Sequence, residues 1–474
     1  MTKAPADTKT VIVAVHGIGD QTRNATVQSV AGRFASSGAD QVALPVGYFR
    51  GPNPNQAEVK RLDWPHRRGN LAQPWGYVEV YWGDLPQEAV KDAHSLELTQ
   101  AWASTVVERL GALSVGPNGL SMADVQRAKR TFMTMIETID VLEFLLMLFR
   151  KIGVFDFELR RVLAEFLGDV QLVTEFADYR TKILACVRRT LDDAFAQCKG
   201  ADIHIVAHSE GTVIAFMGLL AAFADGAPWA EKVRGFMTLG SPIDKHLVLW
   251  PEIWAPWLIP PTIPAAAEWK PIEWCNYYDF ADPVGFDLDT ARLFLGVTGW
   301  RSHFDFTNRT DFGFSRYILP GAAHNEYWDD AAVFDDFINH VLMGNRRAPL
   351  SAAQAANLEK ADVPSRSGRA FLSTTIPYFV CAGTLVAGVM VIYSSLIHFL
   401  DLKASGWVVL GNSLAIACLL GGMTLAVRVP RLVKERLWHW LAWALFIGSL
   451  FVYRFGVSEE ARQKLGTIFA LWKS

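Results

Sequence analysis

The residues that could do chemistry collect around one serine. Ser209 sits in Ala207-His208-Ser209-Glu210-Gly211, a variant of the G-x-S-x-G pattern with alanine in the first glycine place. A β-branched run (Ile203, Ile205, Val206) precedes it, and a small, apolar, proline-free run from Gly211 to Phe223 follows. The serine is therefore expected on a tight turn from a buried strand into a buried helix. Such a turn brings the two backbones almost into contact, so the residues two before and two after the serine must be small, as Ala207 and Gly211 are. A hydroxyl held at a helix N-terminus can attack an electrophilic carbon, and the peptide dipoles there favour the oxyanion that forms. The hydroxyl is too weak an acid to ionise near neutral pH without a base, and histidine is the side chain suited to taking and returning the proton. His208 points away from the serine in such a turn and is expected to pack or position. Glu210 is an unusual neighbour for a nucleophile, and a local hydrogen bond is the part its position offers.

A second glycine-bearing loop follows Thr10 to Val15, an apolar run long enough for one buried strand. It reads His16-Gly17-Ile18-Gly19-Asp20, and its bare backbone can bring N–H groups close to a ligand. A third glycine at dinucleotide-binding spacing is missing and no phosphate-loop lysine follows, so a nucleotide site is set aside. The five cysteines are widely spaced and form neither a disulfide framework nor a zinc pattern. The expectation is that no cofactor and no metal takes part, and that the protein works in a reducing compartment.

The elements that must position these residues can be read in order. A helix is expected over Thr26 to Ser36, and strands over Gln41 to Tyr48 and Tyr77 to Trp82, with an exposed loop from Gly51 to Pro74 between the strands. Residues 85 to 167 are expected to form a helical insert. Its stretch Asp140 to Arg150 is apolar on nearly every side and too short to span a bilayer, so it is either an internal packing helix or an interfacial lid. Arg180 to Cys198 is an amphipathic helix leading to the serine strand. Val233 to Leu239 and Trp274 to Phe280 read as further strands, the latter delivering Asp282-Pro283-Val284. Between them, the prolines and tryptophans of Trp250 to Pro261 exclude a regular helix or central strand, leaving a loop that lines a pocket or packs over the sheet edge. Gly321-Ala322-Ala323-His324 is a small-residue loop before an amphipathic helix, Asp330 to Met343.

Composition changes sharply after a polar linker, 344 to 370. Phe371 to Leu400, Gly406 to Val427 and Leu437 to Tyr453 contain no Asp, Glu, Lys or Arg over 30, 22 and 17 residues. Aromatic residues lie near their ends, so 371–457 is expected to be a membrane anchor of two or three helices, followed by a tail, 458–474. Basic residues precede the first apolar segment (Arg346, Arg347, Lys360, Arg366, Arg369) and separate the second from the third (Arg428, Arg431, Lys434, Arg436). Short basic loops stay in the cytoplasm. The polar N-terminus does not read as a secretory signal. Residues 1–343 should then face the cytoplasm from an inner or plasma membrane. A net charge of −3 with no basic block argues against nucleic acid as a partner.

Strand-His-Gly, strand-AHSEG-helix, strand-Asp-Pro-Val and loop-His, in that order, resemble the α/β-hydrolase fold, and more narrowly its lipase and serine-esterase branch. The resemblance covers roughly Thr10 to Met343 without the insert. It implies a mostly parallel central sheet flanked by helices. It also implies Ser209 as nucleophile, His324 as general base and then acid, and Asp282 as the residue that orients and stabilises the imidazolium. Gly17, Ile18 and Glu210 would supply the oxyanion hole through backbone amides. Asp279 competes with Asp282 but lies inside the expected strand, and His303 competes with His324 without its surrounding small residues. The expected activity is hydrolysis of a lipophilic carboxylic ester (phospholipid, lysophospholipid or acylglycerol) at a membrane. A peptidase, thioesterase or acyltransferase on the same residues, or an inactive membrane scaffold, are the alternatives.

Overall fold

The computed structural model describes residues 8–18, 21–36, 57–62, 75–85, 170–262 and, apart from 280, 281, 283, 286, 315 and 317–319, residues 270–347. The expected strand at 41–48, the insert beyond residue 85, the greater part of the linker, the three apolar segments and the tail lie outside the described residues. No helix among the described residues is long and apolar enough to cross a membrane.

The described chain is an α/β fold on a mostly parallel sheet. Its eight strands are β1 (Thr10–Val15), β2 (Lys60–Leu62), β3 (Trp75–Val80), β4 (Asp202–His208), β5 (Val233–Leu239), β6 (Ile272–Asp279), β7 (Phe304–Asp305) and β8 (Asp311–Phe314). They lie in the order β2-β3-β1-β4-β5-β6-β7, with β8 also on β6. Only the β2–β3 pairing is antiparallel. From β1 the chain passes to one side for β3 and to the other for β4. The carboxyl ends of β1 and β4 therefore flank a point where strand order reverses, the usual place for a site in an open parallel sheet.

Among the described residues, seven α-helices flank the sheet: α1 (Ala25–Ser36), α2 (Ala177–Gln197), α3 (Glu210–Ala224), α4 (Ile243–Leu249), α5 (Asp289–Thr298), α6 (Pro320–Asn325) and α7 (Ala331–Phe337). Alternation along β1 divides the core. Val11, Val13 and Val15 join Ile183, Val187, Val213 and Phe216 of α2 and α3 on one face. Ile12 and Ala14 join Val27, Val30 and Phe34 of α1 and Phe334 and Phe337 of α7 on the other. The period-two pattern of a strand buried on both sides is thus met by two helical layers.

The boundaries expected for β5 are those observed, and α1, α2, α3 and β6 fall within a few residues of expectation. Four stretches differ. β2 lies inside the Gly51 to Pro74 segment read as an exposed loop, where it pairs as a three-residue edge on β3. Pro251–Trp257 coils into a 3-10 helix, which tolerates prolines at its first position and at Pro256. Its tryptophans Trp254 and Trp257, with Trp250, are buried in the core, and Trp254 packs on Phe216 and Phe294. His324 belongs to the short helix α6 instead of a loop. The helix expected over Asp330 to Met343 is α7 followed by a π-helical turn, Ile338–Leu342, with Asp330 as its cap, accepting from the N–H groups of Ala332 and Val333.

Candidate active site

Ser209 stands between β4 and α3 with φ 54° and ψ −134°. Asn24 is the only other non-glycine residue with positive φ among those described. Such a conformation costs about 1–3 kcal/mol and persists only where the surroundings over-determine it. Here they do. The serine N–H donates to the Leu239 carbonyl at 2.9 Å, and its own carbonyl accepts from the Thr212 N–H at 2.9 Å and the Thr212 hydroxyl at 2.7 Å. A Cβ added at Gly211 would overlap the His16 carbonyl oxygen and lie 2.8 Å from its carbon. The first turn of α3 and the end of β1 are therefore in backbone contact, which only glycine permits.

The hydroxyl enters a chain of hydrogen bonds. Ser209 Oγ is 2.9 Å from His324 Nε2, and His324 Nδ1 is 2.9 and 3.0 Å from Asp282 Oδ1 and Oδ2. An ionised carboxylate only accepts, so Nδ1 carries the hydrogen and Nε2 is left to accept from the serine. Burial alone would raise the Asp282 carboxyl. The opposing charge and hydrogen bond of His324, with N–H groups of Gly285 and Val284, hold it well below the usual carboxylate range. Tyr327 completes its shell. The phenol donates to Asp282 Oδ2 at 2.7 Å and accepts from the Asp279 N–H at 2.8 Å. Gly240, at φ 57°, makes the room, because a Cβ there would lie 2.7 Å from Asp282 Oδ2 and 2.8 Å from Tyr327 Cε2.

Two further histidines hold the surroundings. Burial, with the charge of His324 adding to it, pushes His208 down to about 3. The ring is thus neutral near pH 7, and its Nε2–H donates to the His324 carbonyl at 2.7 Å. His16, lowered to about 4 by burial, accepts from the Trp82 N–H at 3.0 Å through Nε2. Its Nδ1–H then donates to the Gly17 carbonyl at 2.7 Å, and its ring stacks on Trp82 at 4.9 Å. This pins the loop after β1 against the serine: a Cβ at Gly17 would lie 2.8 Å from Ser209 Cβ and 3.4 Å from Oγ. Ile18 follows, half-buried, its carbonyl accepting from Gln21 at 3.0 Å. Glu210 is the first residue of α3, so its N–H has no intrahelical acceptor. Its side chain is buried, with Oε2 3.0 Å from His246 Nε2.

The structure thus brings Ser209, Asp282 and His324 together, with Gly17 and Glu210 beside the serine and Ile18 next along the same loop. It keeps the two competitors apart from them. The Asp279 side chain accepts the Arg316 N–H at 2.8 Å, and its backbone meets the site through the Tyr327 phenol and through its carbonyl, which accepts from the Asp282 N–H at 2.9 Å. His303 packs on Phe223 and Trp300, at the end of α3 remote from the serine. Tyr327, Gly240 and Gly285 are the site residues that reading the sequence missed. Only Tyr327 left a signal: it lies three residues after His324, on the same side of a helical turn. No group of three or more His, Cys, Asp or Glu side chains able to hold a metal occurs among the described residues. No protein-family model, curated protein or solved structure matches the chain.

Proposed function

We propose that this chain is a membrane-anchored serine hydrolase of the α/β-hydrolase type that cleaves a carboxylic ester of a lipophilic substrate through an acyl-enzyme on Ser209. The observation that carries the reading is the hydrogen-bonded Ser209–His324–Asp282 chain on a strained strand-to-helix turn. Backbone strain of this kind concentrates at functional positions. In the reaction, Ser209 Oγ bonds to the ester carbonyl carbon as its proton passes to His324 Nε2. Asp282 stays ionised and stabilises the imidazolium through Nδ1. The tetrahedral oxyanion is held by the amide of Glu210 and an amide of the Gly17–Ile18 loop. Collapse breaks the bond to the alcohol, which leaves with the proton from Nε2. Water then attacks the acyl-enzyme by the same route, regenerating the serine.

The lipophilic substrate and the membrane are supported by the three charge-free segments beyond residue 370, which would place the catalytic domain where such esters are concentrated. The basic segments flanking them favour a cytoplasmic face for that domain. A fluorophosphonate probe should label Ser209 of the full chain in detergent; folded wild-type protein that stays unlabelled would overturn the reading. Ser209→Ala and His324→Ala should each lower hydrolysis by about 10⁴-fold or more, whereas His303→Ala should keep it. Turnover of short p-nitrophenyl esters with none on phospholipid or acylglycerol vesicles would retain the mechanism and reject the substrate class.

A further inference from the structure

Glu210 and His246 form a side-chain pair that the chain of Ser209, His324 and Asp282 does not use. Both side chains are 2 % exposed, and Glu210 Oε2 lies 3.0 Å from His246 Nε2. Glu210 Oε1 and His246 Nδ1 have no hydrogen-bond partner among the described residues. The carboxyl group thus depends on a single contact. A buried carboxyl group with only one partner is costly, and losing that partner leaves it uncompensated. Its position makes the cost relevant to the reaction. Glu210 follows the nucleophile directly, and its own N–H is assigned to the oxyanion. A negative side chain there would oppose the negative charge that develops on the substrate oxygen.

We infer that His246 is a positioning residue for the oxyanion end of the site: through Nε2 it offsets the Glu210 carboxyl group and holds the first turn of α3 in the orientation that oxyanion binding requires. This rests on the hydrolase reading above. α4 is well placed for the task. It begins two residues after Ser241, whose hydroxyl is 2.8 Å from the Thr212 hydroxyl, and Thr212 in turn donates to the Ser209 carbonyl. The His246 ring lies against Trp250, with centroids 5.1 Å apart. Trp250 is itself tied by its indole N–H to Glu175 at 3.0 Å. The first turn of α3 is therefore joined twice to this stretch, once to the turn before α4 through Thr212–Ser241 and once to α4 itself through Glu210–His246.

The test is a double-mutant cycle in the full-length protein, read by kcat, KM and the affinity for a trifluoromethyl ketone that forms an oxyanion on the serine. His246→Leu should lower kcat and trifluoromethyl ketone affinity together by about tenfold, a coupling typical of contacting groups, with KM changed less than about twofold. The same substitution in a Glu210→Gln background should cost less than about threefold, because no carboxyl group remains to be offset. His246→Gln keeps an N–H donor and should lose less than His246→Leu, and it serves in its place if the leucine variant does not fold. Equal losses from His246→Leu in the two backgrounds, or losses confined to KM, would overturn the assignment. So would a glutamine variant as impaired as the leucine one. Wild-type protein that the ketone and fluorophosphonate leave untouched would instead refute the hydrolase reading on which the assignment depends.

Discussion

The two halves of the site are built by different means. On the serine side, position is set by backbone against backbone: the first turn of α3 touches the end of β1 at Gly211, and Ser209 is held in a conformation it would not choose. On the acid side, position is set by side-chain hydrogen bonds. Asp282 is steered by His324, Tyr327 and the Val284 N–H, in a space that Gly240 and Gly285 leave clear. The first half is therefore inseparable from the fold, while the second can be weakened by degrees.

That contrast can be broken at three levels. The largest effect belongs to the serine half. Gly211→Val forces a side chain into the His16 carbonyl and should cost about 4 kcal/mol or more, a large part of a typical domain's stability. Loss of the cooperative unfolding transition, or of soluble expression, would register it. A folded Gly211→Val protein with normal activity would show that the backbone contact is not what sets the serine. In the acid half, Asp282→Asn should lower kcat by about 10³- to 10⁴-fold with the fold intact. Tyr327→Phe, which removes one donor to the carboxylate, should lower it by only about tenfold, with an unchanged unfolding curve. Equal losses from these two would mean that Tyr327 does more than steady the acid.

The third level separates the halves by pH. His16 and His208 on the serine side, and His204 within β4, hold folded values of about 4, 3 and 3 because burial disfavours their charged forms. The unfolded chain takes up these protons near pH 6.5 and the folded chain does not. Stability should therefore fall as pH drops from 6.5 towards 4, by up to about 1 kcal/mol per pH unit for each histidine. Asp282 is shifted in the same direction for the opposite reason, because its charged form is favoured, and it acts in a lower pH window. Its folded value is depressed, so its contribution is complete above the ordinary carboxylate range and is lost only as pH falls through that range and below. Denaturant unfolding at pH 7.5, 6 and 5 would reveal the histidine slope, and replacing His204 by phenylalanine should reduce it. A flat profile would mean the three rings are not buried neutral.

The same division decides what the sequence made legible. The serine half is local: strand, turn and helix are contiguous, small residues sit where the backbones meet, and alternation over β1 and β4 reports burial on two faces. Asp282 and His324 were recoverable because chain order and strand ends restrict the choice. The supports of the acid half were not, since Tyr327 meets a carboxylate 45 residues away and Gly240 clears space for side chains from two other segments. No periodicity records such a meeting. β2, β7 and β8 escaped for a related reason: at three, two and four residues they are too short for an alternating pattern and exist because a longer neighbour pairs with them. The 3-10 coil of Pro251–Trp257 shows local chemistry overruled by burial, since three tryptophan rings reach the core only if the prolines are accommodated.

His208 and Ser209 grip His324 at two points, one through its carbonyl and the other through its ring nitrogen. Both grips issue from the end of a single strand, so they work as a caliper whose jaws cannot drift apart separately. A shift at the carboxyl end of β4 would therefore act on the His324 carbonyl and on its ring nitrogen together.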